Sequence, residues 1–341
     1  MSSKSFFILI PAAILFLGAC SNGNSGETFK PSVTGRNGEI LVVINDNVKN
    51  DTVGHYIAAM FGETYLGLPA AEPLFDMSTV PHGYFDKMMH TFRNIMVVEV
   101  NDTIACDTLQ CFSDVWAKPQ AVVMARAKSK AALLDVVRRN HIKIISFISR
   151  AERERLMAFN KSIKHVPLSD ELNRRYDIDI VVPNTFEKCN PRNARAMSWV
   201  RIDQKEFQIG LFVYEFPYVG EGTLSKEYLL NKRDSLLRTN VEGPEGSYMC
   251  TEVRFGLDEI IYKSGTHRGS PVAELRGLWR MEGYLMGGPF MLRAVYDEQN
   301  RRVIVTDGYV YYPSREKKRN QIRQLEAVMY SLRLNSNKDD K

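Results

Sequence analysis

Glu39-Ile40-Leu41-Val42-Val43-Ile44, followed at once by Asn45-Asp46-Asn47, is the stretch from which the fold is read. An unbroken apolar run that stops at an Asn/Asp cluster predicts a buried strand followed by a loop. Val53 to Phe61 follows with helical spacing at Val53, Ile57, Met60 and Phe61, and the Pro/Ala-rich Leu66 to Pro73 predicts a loop. Phe85 to Phe92 suits a short helix, Asn94 to Val100 a second strand, Gln120 to Ala127 a third, and Lys130 to Asn140 a helix. Ile142 to Ile148 fits either a strand or a continuation of that helix, and the arginine-rich Ser149 to Phe159 is helical in pattern. Strands alternating with helices in this way predict layered sheets and helices.

The polar stretch Ser169 to Asp177 precedes a new apolar run, Ile178 to Val182, which places a boundary near residues 165–180. Beyond it, Trp199 to Ile202 and Phe207 to Phe216 read as neighbouring strands. Ser225 to Thr239 reads as a helix capped by Ser225, with Leu229, Leu230, Leu236 and Leu237 facing inward. Tyr248 to Phe255, Ala273 to Met281, Phe290 to Tyr296 and Val303 to Tyr312 read as strands, with Glu298-Gln299-Asn300 turning between the last two. A closing helix runs from Arg315 to Leu332. The expected class is α+β: two layered α/β sandwich-like halves, residues 35–170 and 171–335, with mainly antiparallel sheets and a polar tail at 336–341. A terminal helix after a long hairpin gives the second half an order that resembles PsbP-like sandwiches.

The N-terminus supplies an address. Lys4 precedes the apolar run Phe6 to Phe16, and Leu17-Gly18-Ala19-Cys20 closes it. The run is short of the roughly 20 apolar residues that a membrane span needs, and Pro11 interrupts it. Small residues before a cysteine look like a bacterial lipobox. Residues 1–19 would then be a signal peptide, Cys20 would carry acyl chains such as palmitate, and residues 20–34 would form a flexible tether. An ordinary secretory signal and an N-terminal anchor are the alternatives. Ser21, rather than aspartate, follows Cys20, which by the same resemblance points to the periplasmic face of an outer membrane. Removing 19 of 341 residues and one lysine leaves 322 residues and takes the formal charge from +5 to +4.

A hydrophobic content of 44% with 25% charged residues is that of a globular body, and the mild positive charge does not by itself argue for nucleic acid as a partner. The stretch Arg138 to Arg175 carries ten Lys/Arg against four Asp/Glu, and reads as a solvated helical region with alternating charges. Four cysteines remain beyond Cys20. Cys106 and Cys111 are near enough in sequence to bridge across a loop in an oxidising compartment; four unpaired cysteines, some buried as small hydrophobes, are the alternative. No histidine stands at metal-ligand spacing near them, so neither a metal nor another cofactor is expected.

Six stretches resemble one family as a set: Arg93-Asn94-Ile95, Trp116-Ala117-Lys118-Pro119-Gln120, Lys232-Arg233-Asp234, Gly246-Ser247-Tyr248-Met249, Arg276-Gly277-Leu278-Trp279 and Met286-Gly287-Gly288-Pro289-Phe290. They look like exported Bacteroidota proteins of the domain of unknown function 4837, over about residues 35–335. The resemblance implies a lipoprotein or secreted context and brings no activity and no catalytic residues. Asp102-Thr103-Ile104 and Asp107-Thr108-Leu109 also resemble the O-glycosylation sequon of such proteins, making Thr103 and Thr108 candidate sugar acceptors.

No Walker loop, Gly-x-Ser-x-Gly elbow or paired-histidine zinc motif is present, and the six histidines are scattered. Ser247, between Gly246 and Tyr248, comes nearest to a nucleophile turn but reads as a loop serine. Gly287 and Gly288, with Arg276, Trp279 and Tyr284 nearby, allow two readings. One is a groove for a sugar or an anionic group, floored by an aromatic platform and an arginine. The other is a bulged hairpin that packs Trp279 and Phe290 into the core. The sequence thus points to a non-catalytic envelope module that meets the membrane through its lipid and binds an envelope protein or glycan, not nucleic acid. An envelope hydrolase with a site assembled from distant residues is the alternative.

Overall fold

The structure is a computed structural model that describes residues 29–254, 256, 259–313 and 317–337. The expected signal peptide, Cys20, most of the tether and most of the 336–341 tail lie outside the described residues. Among the described residues, no helix is long and apolar enough to cross a membrane.

β1 (Glu39–Val43) lies inside a five-stranded sheet with β2 (Asp76–Val80), β3 (Asn94–Val100), β4 (Thr108–Ser113) and β5 (Ala121–Ala127), ordered β2-β1-β3-β5-β4. β2 and β3 pair with β1 in parallel, β5 pairs in parallel with β3, and only β4 is antiparallel. Parallel neighbours need crossovers that cover the sheet's faces, which is why β1 has no polar alternation. Ile40 and Val42 point into a core with Val53, Ile57 and Leu133, while Leu41 and Val43 join Val80, Ile95 and Val122 on the other face.

The short α1 (Asp46–Lys49) occupies part of the expected loop, and α2 (Thr52–Phe61) follows. The Phe85–Phe92 helix is not formed: only a single 3-10 turn, Met89–Thr91, lies within it, and another, His82–Tyr84, precedes it. α3 (Lys130–Arg139) begins at Ser129, whose hydroxyl accepts the Ala132 N–H at 3.2 Å. α4 (His141–Ser162) settles Ile142–Ile148 as helix, because Ile144 and Ile148, one turn apart, are both buried. The polar stretch expected at the boundary is also helical. α5 (Val166–Tyr176) buries Leu168, Leu172 and Tyr176 at four-residue spacing.

The second half begins with β6 (Ile178–Asp179) and the short β7 (Glu187–Cys189), then β8 (Ser198–Asp203) and β9 (Gln208–Pro217). α6 (Lys226–Asn240) starts at Ser225, whose hydroxyl accepts the Tyr228 N–H at 3.3 Å. After it come β10 (Tyr248–Thr251), β11 (Ile261–His267), β12 (Ser270–Glu282), β13 (Gly287–Asp297), β14 (Arg302–Tyr311), α7 (Arg319–Ser331) and β15 (Arg333–Leu334). An antiparallel sheet of eight strands runs β10-β12-β13-β14-β9-β8-β7, with β11 also on β12; β15 and β6 form a separate pair. Alternation along the long strands builds two cores. Leu229, Leu230 and Leu237 of α6 cover Phe212, Leu275 and Trp279 on one face. α5 and α7 cover Leu211, Met291 and Ile304 on the other. The α+β class with mainly antiparallel pairing is the one adopted, the parallel core of the first sheet being the exception.

Gly210 on β9 lies opposite Tyr309 on β14, and a Cβ at Gly210 would stand 2.0 Å from the Tyr309 ring. The ring fills the space a side chain would take. Gly210→Ala is therefore expected to lower stability by about 1–3 kcal/mol, read as a lower urea midpoint at unchanged slope.

The halves meet along α4 and α7. The Glu72 carboxylate, from the loop before β2, accepts the backbone N–H groups of Lys318 (2.5 Å) and Arg319 (3.0 Å) at the start of α7, where negative charge is favourable. Arg319 returns an ion pair to Asp76 at 2.6 Å, and Arg323 donates to the Leu74 carbonyl at 2.7 Å.

Candidate functional site

A cavity of about 430 Å³ opens at this seam, between α4, α7, the β11–β12 hairpin and the loop around Tyr65. α4 supplies Ile145, Ser149, Glu152, Arg153 and Leu156, one stripe of a helix surface. The even-numbered positions of β12 supply Glu274 and Arg276, β13 supplies Arg293, and α7 supplies Arg323, Glu326 and Tyr330.

Arg276 is the hub. It donates to the Tyr65 hydroxyl at 2.8 Å and pairs with Glu274 at 2.8 Å and Glu326 at 3.5 Å. Glu326 also accepts from Arg153 at 2.8 Å and from the Tyr65 hydroxyl at 3.1 Å, and the Tyr330 hydroxyl donates to Glu274 at 2.9 Å. The guanidinium groups of Arg153 and Arg293 lie 3.9 and 4.3 Å from the centre of the Tyr330 ring. Arg293 and Arg323 are buried, yet Arg293 Nε and Arg323 Nη1 have no hydrogen-bond partner. With Lys263, five cations line the cavity against three carboxylates, and one of the three, Glu152, is already held by Arg93 at 3.0 Å and Arg155 at 2.6 Å. The site carries surplus positive charge.

Two titrations reflect that surplus. Burial alone would raise the Glu326 carboxyl, but Arg276 and Arg153 hold it below the usual carboxylate range. Glu326 is thus held as a carboxylate between Arg276 and Arg153. His267, half-buried at the hairpin, is pushed down to about 4, first by burial and then by Arg293, Arg268 and Arg153. A depressed folded pKa favours folding above the unfolded value of 6.5, and that contribution is lost as pH falls through about 4. Proton NMR of the ring is expected to show a titration midpoint near 4. A midpoint near 6.5 would remove the cationic environment from the description.

The five residues expected to share a groove are not brought together. Arg276 and Trp279 are three positions apart on β12 and so face opposite sides of the sheet. Trp279 is 1% exposed, its Nε1 donates to the Val310 carbonyl at 3.2 Å, and Phe290 is buried with it. Tyr284 stands exposed at the β12–β13 turn. Gly287 and Gly288 pair with Arg280 and Trp279; a Cβ on Gly288 would meet the Val310 carbonyl at 2.1 Å, so close backbone approach explains that glycine. The core-packed hairpin is the arrangement found, and only Arg276 reaches the cavity.

Cys106 and Cys111 are both free. Cys106 is exposed in the loop before β4, and Cys111 is half-buried within that strand. Thr103 is exposed in a turn where its hydroxyl donates to Asn101 Oδ1 at 2.9 Å, while Thr108 is half-buried at the start of β4. Ser247 is buried and donates to the Pro244 carbonyl at 2.6 Å, closing a turn. Among the described residues, no group of three His, Cys, Asp or Glu is placed to hold a metal ion.

Sequence reasoning missed Tyr65, Arg153, Arg293, Glu326 and Tyr330. The charged stretch on α4 is not uniformly solvated: Glu152 and Arg155 are buried and Arg153 faces the cavity. A stripe Ile145, Ser149, Glu152, Leu156 at spacings of four, three and four was the available signal.

Comparison with known proteins divides the chain in two. Residues 166–331 match the family model of a domain of unknown function, DUF4837, and residues 33–161 match that of another, DUF8532. The DUF4837 match thus stops at the second half, rather than spanning residues 35–335. A search of curated proteins finds no match. Among solved structures, a mutant of protein Mog1 (12% identity, TM-score 0.28) and the Saccharomyces cerevisiae Ran-binding protein Mog1p (10%, 0.28) each match over 46% of this chain and 90% of their own. LpqN, involved in cell envelope biogenesis of Mycobacterium tuberculosis, matches at 12% identity and TM-score 0.26 over 46% of this chain and 81% of its own. Scores this low carry no argument about fold or function. Residues 33–161 are thus similar to one domain of unknown function, DUF8532, and residues 166–331 to another, DUF4837.

Proposed function

We propose that the protein is an envelope lipoprotein, anchored through Cys20 at the periplasmic face of an outer membrane, and that it is a binding module rather than an enzyme. Its seam cavity takes a small acidic glycan fragment. The observation that carries this reading is the surplus of buried guanidinium groups, Arg293 and Arg323 above all, in a cavity that also offers tyrosine hydroxyls. Guanidinium groups bind carboxylates in planar, two-pronged fashion, and the phenols suit sugar hydroxyls. A volume of about 430 Å³ is within the range of small-ligand pockets.

Isothermal titration of the protein with trigalacturonate, against neutral maltotriose, tests the reading. Trigalacturonate is expected to bind and to raise the His267 midpoint, and Arg293→Met to weaken binding at least tenfold. Equal binding of the two sugars, or none of either, would remove the acidic-glycan assignment. Cys20→Ala is expected to move the protein from the membrane fraction to the soluble one.

A further inference from the structure

A second cavity, of about 510 Å³, lies beside the seam cavity along α4 and α7, with the Leu156 side chain lining both. Its wall is largely apolar, with Phe159, Ile163, Phe186, Ile202 and Phe207 among the lining residues. Among the described residues no aspartate or glutamate lines it, but two arginines do, Arg93 and Arg155. Both are buried, and the anion that holds them, Glu152, is single, so the cluster keeps one uncompensated positive charge. Arg155 is 9% exposed with its Nε unpartnered, and Asn160, five residues further along α4, is 8% exposed with its Nδ2 unpartnered. A buried surplus cation and a lone amide donor lining one largely apolar cavity are an arrangement that a ligand anion would complete.

We propose that this second cavity binds a free medium-chain carboxylate, with the carboxylate at Arg155 and Asn160 and the hydrocarbon chain against Phe159, Phe186 and Phe207. A cationic amphiphile is excluded by the arginines. An uncharged one would leave the surplus charge uncompensated. The exposed Phe159 ring, at 59%, marks the mouth by which the chain would enter.

Titration calorimetry of the full chain with decanoate, decanol and decyltrimethylammonium tests this. Decanoate is expected to bind at least tenfold more tightly than decanol, and decyltrimethylammonium not to bind. Asn160→Asp places a carboxylate beside the ligand's own and is expected to weaken decanoate at least tenfold. Ile202→Trp fills the chamber from the half-buried end of β8 and should abolish binding with the fold intact by circular dichroism. Arg293→Met, in the seam cavity, should leave decanoate unchanged, which separates this site from the acidic-glycan one. Equal affinity for decanol, or decanoate binding unaffected by both Asn160→Asp and Ile202→Trp, would overturn the proposal. Tighter binding of N-acetyl-leucyl-phenylalanine than of decanoate would overturn the fatty-acid assignment in favour of a peptide C-terminus.

Discussion

Arg233→Met is expected to cost about 3–5 kcal/mol of unfolding free energy, because it strands a charge in the middle of the second half. Arg233 points from α6 into the sheet and meets Asp307 of β14, Nε to Oδ2 at 3.0 Å, with both side chains fully buried. Its guanidinium lies 3.9 Å from the centre of the Phe290 ring, and its Nη1 donates to Thr251 Oγ1 at 2.9 Å. Burial pushes the Asp307 carboxyl up to about 6, against the pull of Arg233. A raised folded pKa means that Asp307 contributes most to stability below its unfolded value of 3.8, and that this is lost as pH rises through about 6. Without Arg233 nothing opposes the effect of burial, and the carboxyl moves higher still. The deficit of Arg233→Met should therefore widen from pH 4 to pH 8 in urea titrations. The double variant Arg233→Met with Asp307→Leu should recover most of the loss, since an apolar pair of similar volume is tolerated where half an ion pair is not. A pH-independent deficit that the double variant leaves unrepaired would mean that Arg233 acts through packing alone.

That pair also shows where the sequence could be read and where it could not. Patterns of local origin were legible. The apolar run at β1, the Ser225 cap of α6 and the long alternating strands β12 to β14 follow from periodicity and capping, which neighbours in the chain decide. The helix α5 was not legible in the polar stretch at the boundary because its three buried positions, Leu168, Leu172 and Tyr176, are spaced thinly among charges. β4 and β11 went unseen because edge pairing needs little burial: β11 shows no fully buried residue, and β4 none either. The seam cavity was illegible for a different reason. Tyr65, Arg153, Arg276 and Glu326 come from four separate parts of the chain, Glu326 lying 261 positions beyond Tyr65, and no spacing rule connects them. Arg276 and Trp279 looked like neighbours in the sequence, but strand alternation sends them to opposite cores.

Glu152→Leu is the second change with a large expected effect, about 3–5 kcal/mol, and its pH dependence runs opposite to that of Asp307. Glu152 Oε1 accepts from Arg155 at 2.6 Å and Asn94 at 2.7 Å and pairs with Arg93 at 3.0 Å, while Oε2 accepts the Gly38 N–H at 3.1 Å. This one carboxylate ties α4 to the β1 and β3 ends of the first sheet. Leucine leaves two buried guanidinium groups facing each other with no anion between them. Burial would raise the Glu152 carboxyl, but Arg155 and Arg93 overcome it and hold the group below its ordinary 4.5. A depressed folded pKa contributes stability that is present above 4.5 and is lost as pH falls through the lower folded value. Glu152→Gln, which keeps the shape and one acceptor, should therefore lose stability at pH 7 and lose progressively less as pH falls below 4.5 through the lower folded value, where the wild-type carboxyl itself becomes protonated. Because Glu152 is, among the described residues, the one carboxylate paired with Arg155, the same variant should tighten decanoate in the second cavity. Weaker decanoate binding in a folded Glu152→Gln protein would show that Glu152 positions Arg155 for the ligand rather than competing with it.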